Sequence, residues 1–445
     1  MSQGLAAVAA QALQQLEPPR AGEPGAGLAT LRRAAATRLR NEGLPSATQE
    51  DWKYTNVAQA GGAALRPAEL ADCAALSADQ VATLQLATAS PVRVVLVNGG
   101  YRGDLSQLEQ LPAGIRIRSI AAVLATAPDE ITAMLAAEAA SVNALGALNT
   151  ALLRDGVIID IGADVSAELP IHLVLIGTGT DVLRGPRVIV RAGVHSHVRM
   201  IEEYIGVTDT GGVTNAVTDV TLASGATLHH HRLQTESDRA AHIARVTVTV
   251  ADHANYIADS IAFGGGLTRI DIDVALQGRG ARCRLNGLFV AAGTQHVDHH
   301  TRIEHQVGDT HSEELYRGIL DGRSRGVFNG KVIVARNAQQ ISARQTSNNL
   351  LLSRQAEIDT KPELEIYADD VTCTHGATVG ELDAAAVFYL RSRGIDEATA
   401  RALLTYAFAQ KIADDIPLAG VRRWIENRFL GHADYSQLLT ALVTP

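Results

Sequence analysis

The sequence predicts a mainly β protein whose core of short strands lies between two α-helical regions. Three observations carry that prediction. From Val157 to Gly380, runs of Val, Ile, Leu and Thr alternate with Gly, Asn and Asp turns, and no long helical pattern intervenes. The turns recur: Ala192-Gly193, Ser224-Gly225, Asp252-His253, Gly278 to Gly280, Gly308-Asp309, Asn337-Ala338 and Asp369-Asp370 lie about 27 to 32 residues apart. On either side, apolar residues return to helical spacing. A repeat of that length fits a coil-by-coil solenoid, in which stacked coils bury a shared core. An antiparallel sandwich is also built of short strands and turns, and the degenerate repeat leaves it open.

Leu5, Val8, Ala12 and Leu16 follow helical spacing, and Pro18-Pro19 ends that first helix. Gln3, Gln11, Gln14 and Gln15 interrupt any apolar signal-peptide region, and a basic start is lacking. Leu28, Leu31, Ala35 and Leu39 give a second amphipathic helix with Gly43 as its stop. In the following Glu50-Asp51-Trp52-Lys53-Tyr54-Thr55, the two aromatics read as anchors of the helical region on the core. Val92 to Val97 reads as a strand, turned by Asn98-Gly99-Gly100. Ile120 to Leu153 is Ala-rich and mostly helical, with Pro128 at a helix start. Arg279-Gly280-Ala281 and Leu285-Asn286-Gly287 suit close stacking of coils.

The core ends in the segment from Asn348 to Asp383. Leu364 and Ile366 alternate with Glu363 and Glu365, as in a strand. Val371, Cys373 and His375 share one face of the next strand, which ends at Gly376. A thiol and an imidazole so placed could bind a soft metal or cluster. Beyond it, Asp383 caps a helix ending at Arg391-Ser392-Arg393, with Gly394 as terminator. Asp396 caps the next, with Ala400, Leu403, Leu404, Ala407 and Phe408 on its apolar side, and Pro417 opens a third through Trp424 and Ile425 to Phe429. These helices are expected to cover the end of the solenoid and its unpaired edges. The chain thus divides into a helical region at 1–88, a core at 89–383 with a helical segment near 120–153, and a helical region at 384–445.

Composition excludes several functions. A net charge of -9 and 4% aromatic residues give no electrostatic or stacking reason to expect nucleic acid. No apolar run approaches the roughly 20 residues that span a bilayer. Cys73, Cys283 and Cys373 are few and far apart, which suits a reducing cytoplasm and disfavours a cysteine-only cluster or zinc site within this chain. Gly264-Gly265-Gly266 lacks the lysine of a phosphate-binding loop, so any ATP chemistry belongs to a partner. No GxSxG elbow is present.

The fifteen histidines invite a metal reading. His195 and His197 share a strand face, as do His229 and His231, and equivalence of Gly193 with Gly225 would stack His197 over His229. No Asp, Glu or Cys completes such a site, so a surface ladder is preferred, with His230 on the opposite, buried face. In the second cluster, His296, Asp298, His300 and Arg302 share one strand face, and His299, Thr301, Ile303 and His305 the other. It lacks HExxH geometry, and polar ladders fixing strand register are preferred to a zinc site.

The terminal segment, with LNGLF, QHVDHHTRIEH, SEELYRGILDGRSRGVFNGKVIV and ARNAQQISARQTSNNLLLS upstream of it, resembles the SufB/SufD family of iron–sulfur cluster assembly scaffolds. The strings match the SufD branch and separate it from the SufB branch, in which a cysteine lies near the position of Ala356. The resemblance implies a right-handed parallel β-helix core with helical caps, and a cytoplasmic, non-catalytic scaffold that pairs with SufB and the ATPase SufC. It implies that His375, within the CTHGAT segment, lies at the SufB interface and takes part in cluster assembly, with Cys373 beside it. Tyr389, Arg391, Arg393, Gly394 and Ile395 are then the ATPase-docking segment. The isolated chain should bind no cofactor stably, the iron–sulfur cluster being transient in the complex. Its flat end strand can pair with a second copy when SufB is absent. A β-helix enzyme acting on carbohydrate, or a zinc-dependent hydrolase using the histidine cluster, is the alternative; scarce aromatics speak against the first.

Overall fold

The computed structural model describes residues 4–14, 26–58, 60–61, 64–74, 76–84, 90–138, 143–207 and 210–430. The expectations at Leu16, at Pro18-Pro19 and beyond 430 lie outside the described residues.

From about residue 157 the chain winds into a parallel β-solenoid of about eight turns. Each turn adds one strand to each of two sheets. Along the first sheet, Val213 pairs with Ala241, Ala241 with Leu267, Leu267 with His296, His296 with Arg325 and Arg325 with Glu357, always parallel. Along the second, Thr227, Asn255, Arg282, His311, Ser342 and Thr372 form an equivalent parallel column. This pairing replaces the antiparallel sandwich. Antiparallel pairs occur where the solenoid starts, between Arg93–Val97 and Gly100–Tyr101 and between Ile115–Ser119 and Val157–Ile161.

The recurring turns are one corner of each coil. His195, Gly225, His253, Gly280, Asp309 and Gln340 occupy that corner with φ between 54° and 71°, the left-handed region that side chains rarely adopt. The imidazoles of His195 and His253 lie over Gly225 and Gly280, where an added Cβ would come within 2.3 Å of each ring. His195 is therefore a corner residue and does not share a strand face with His197.

Apolar side chains fill the interior, among them Val188, Val190, Val220, Val246, Ile270, Ile272 and Val274. Each such burial stabilises by roughly 1.5–3 kcal/mol. Inward orientation of the aliphatics is only half the pattern. Ile201, Leu233, Ile261, Leu288, Ile319 and Leu350 point outward and form a stripe along the second sheet. The helices Glu397–Ala413 and Ala419–Leu430 cover this stripe with Ala409, Ile412, Val421 and Ile425. The C-terminal helices thus flank the solenoid and do not cover its end, because the stripe offers a continuous apolar surface. The buried helix face shifts accordingly, and Ala407 is exposed. At the first sheet, Leu5, Val8, Leu39 and Trp52 pack in the same way on Val213, Ala241 and Ile243. No helix among the described residues is long and apolar enough to cross a membrane.

Candidate functional site at the open end of the solenoid

The two sheets end on the strands Glu357–Ile366 and Val371–Glu381. Among the described residues, each is paired with a neighbouring strand on one side only. No residue of either strand is buried, whereas the preceding Ile341–Leu351 alternates buried and exposed positions. The last strand runs through Gly376 to Glu381, five residues beyond its expected end; a Cβ at Gly376 would meet nothing within 4 Å. A long strand with an unpaired edge is a template for another chain.

Register decides where its side chains face. Cys373 pairs with Ala343 and His375 with Gln345. Ala343 and Gln345 are buried members of the inward-facing row, so Cys373 and His375 continue that row at the open rim. Cys373 is partly buried against Ile341, Ala343, Val334 and Ala338. Burial pushes its thiol above the ordinary value of 9.0, so it is protonated near neutrality and behaves chiefly as a packing group. His375 is exposed. Ala356 is buried against Phe289, Val297 and Leu320 in the turn before the penultimate strand, where this chain offers no thiol.

Immediately after the last strand comes the helix Ala384–Ser392, capped by Asp383, with no buried residue. Phe388 and Tyr389 are 72% and 55% exposed, an unusual display of aromatic surface. The Arg393 guanidinium lies 5.2 Å from the Tyr389 ring and donates to its hydroxyl at 3.1 Å. Arg391 pairs with Glu397 at 3.3 Å. Gly394, at φ 86°, ends the helix, and the Ile395 N–H donates to Leu390.

The histidine clusters are structural. His197 pairs in register with Thr227, and His229 with Arg199. The expected direct stacking is offset by two residues, although the His197 and His229 rings still approach to 5.5 Å. His230 is buried inside, bonded to Glu202 and Tyr256, and His231, expected in a surface ladder, is fully buried and bonded to Asp259. His296 bonds Thr55, and His300 pairs with Asp298 at 3.0 Å, while His299 and His305 point inward. Among the described residues, no group of three or more His, Cys, Asp or Glu is arranged to hold a metal ion.

Asp298, read from the sequence only as part of a histidine-rich strand, is a buried hub. Thr55 donates to it, Arg269 pairs with it at 2.6 Å, and the Arg269 guanidinium lies 4.0 Å from the Trp52 ring. Burial would raise its pKa, but Arg269 and His300 hold the carboxyl well below the usual range. The Glu50 to Thr55 segment is clamped to the core in this way, as its aromatics suggest.

Comparison with known proteins agrees with this architecture. The family model for the SufBD core domain of SUF-system FeS cluster assembly matches residues 175–408, and that for the SufBD N-terminal region matches 23–173. The chain is 32% identical over 410 residues to an iron–sulfur cluster assembly SufBD family protein of Synechocystis sp., covering 89% of each chain. It is 30% identical over 395 residues to the iron–sulfur cluster assembly protein SufD of Escherichia coli, covering 87% of this chain and 89% of that one. To SufD of Bacillus subtilis it is 27% identical over 281 residues, or 63% of this chain and 64% of the relative. With a parallel solenoid and both family regions in order, the chain belongs to the SufBD family of iron–sulfur cluster assembly proteins.

Proposed function

We propose that this chain is a non-catalytic scaffold subunit that pairs through its open solenoid end with a SufB-like subunit and through Ala384–Ser392 with a SufC-like ATPase. The observation that carries the reading is the bare pair of end strands, left uncovered because the C-terminal helices lie along the flank. His375 lies on the last of these strands and supplies an imidazole to a cluster shared across the interface, while the partner supplies the thiolate that this chain lacks at Ala356. One neutral imidazole suits iron but cannot hold a cluster alone. Iron and sulfide are thus cargo, assembled at the joint and handed on. Without its partner, the same edge pairs with a second copy of the chain.

Co-purification from a strain expressing all three subunits tests the pairing. Removing everything after Asp383 would also uncover the apolar stripe, so point variants are cleaner. The double variant Phe388→Ala/Tyr389→Ala should lower capture of the ATPase by roughly tenfold or more, since exposed aromatic anchors dominate such contacts. Thermal stability and capture of the SufB-like subunit should be unchanged. Undiminished ATPase capture would count against this docking surface.

A further inference from the structure

In the inward-facing row that ends at His375, the two residues next to it are also polar. Glu314, Gln345 and His375 occupy successive positions across the ladder, Glu314 pairing with Gln345 and Gln345 with His375. Glu314 and Gln345 are each 1% exposed. Gln345 Nε2 donates to Glu314 Oε2 at 2.5 Å. That bond fixes which way the amide points, since the nitrogen is committed to the carboxyl. The seat is tight. A Cβ at Gly330, on the facing sheet, would fall 2.1 Å from Gln345 Nε2. Gln345 Oε1 is buried and has no hydrogen-bond partner among the described residues. An unpaired buried acceptor is unfavourable and draws in a donor. Neighbouring strands are separated by about 4.8 Å, so the residue next along the row is His375.

We propose that Gln345 is a positioning residue that selects the tautomer of His375. Its Oε1 accepts from the inward ring N–H, leaving the lone pair of the other ring nitrogen aimed out of the open end. A neutral imidazole has one N–H and one lone pair, and a hydrogen bond to one nitrogen settles which is which. Metal-binding imidazoles are regularly held so by their second nitrogen. Glu314 acts one step further back by holding the amide. The inference rests on the reading of His375 as a ligand-bearing residue, but its test does not.

The test uses the full-length chain alone, with ¹⁵N-labelled histidine, and follows the ring nitrogens of His375 at pH 8; loss of the signal in His375→Asn assigns them. The wild-type ring should populate one tautomer in roughly tenfold excess or more. Gln345→Met should return the ratio to that of a free imidazole. Gly330→Ala, which pushes the amide off its seat while leaving Gln345 itself in the sequence, should do the same and covers the case in which Gln345→Met folds poorly. Identical His375 nitrogen shifts in wild type and either folded variant would overturn the proposal. Unchanged cluster loading of a His375→Ala complex would instead remove the ligand role and leave the tautomer result standing.

Discussion

Glu202→Leu is expected to destabilise the folded chain by about 3–5 kcal/mol, because it leaves a buried charge without its partner. Glu202 lies inside the solenoid at 0% exposure. It accepts from His230 and Thr218, each at 2.9 Å, from Arg232 at 3.3 Å and from the Tyr204 hydroxyl. Burial works to raise its pKa, but Arg232 and His230 win and hold the carboxyl well below the usual range. Arg232 is itself buried, so losing Glu202 strands a guanidinium in an apolar interior. Glu202→Gln keeps an acceptor and should lose less. Glu202→Leu/Arg232→Met removes both charges and should recover much of the loss. Urea midpoints of the three variants check this, and a double variant no better than Glu202→Leu would contradict it.

Glu314→Gln should change the pH dependence of stability. Burial pushes the Glu314 carboxyl up from 4.5 to about 7, with Thr301 and Gln345 the groups nearest it. Between those values the folded chain keeps a proton that the unfolded chain has given up. Stability therefore falls as pH rises from 4.5 to 7 and is level above, a difference of about 3 kcal/mol. Glu314→Gln should be more stable than wild type by about that amount at pH 8 and equal to it near pH 4. Buried His299 and His305 act in the opposite sense. Burial pushes them down from 6.5 to about 3 and about 4, so their contribution is present above 6.5 and lost as pH falls below it. With Glu314 gone this second slope is unopposed, and acid lability below pH 6.5 should steepen. Denaturation midpoints at pH 4, 6 and 8 read both effects. A Glu314→Gln profile parallel to that of wild type would contradict them.

Turn chemistry made the coils readable: the recurring Gly, Asn and Asp corners mark one corner of each turn. Alternation within a strand placed Cys373 and His375 on one face, and the Glu50 to Thr55 aromatics announced their anchoring role. Which face is inside was not readable. In Thr227–Gln234 the inward residues are Leu228, His230, Arg232 and Gln234, while Leu233 faces outward under a helix. Both faces of that strand are buried in its second half, so polarity carries no sign. That the C-terminal helices lie along the flank was missed for a related reason. Helical amphipathicity shows that the C-terminal helices cover something, but the outward stripe they cover is scattered over six strands. Ala343, Gln345 and Glu314 lie about 30 residues apart along the chain from their row neighbours, and only the ladder brings Gln345 beneath His375.

The central claim is that His375, on the uncovered end strand, serves cluster assembly across an interface. Its most direct test is the iron and sulfide content of intact complexes purified with a SufB-like subunit and a SufC-like ATPase. His375→Ala should leave folding and complex formation close to wild type, since an exposed imidazole contributes little buried surface, and should sharply lower iron and sulfide together. Cys373→Ser should lower them less. Wild-type loading with alanine at 375 would contradict the claim.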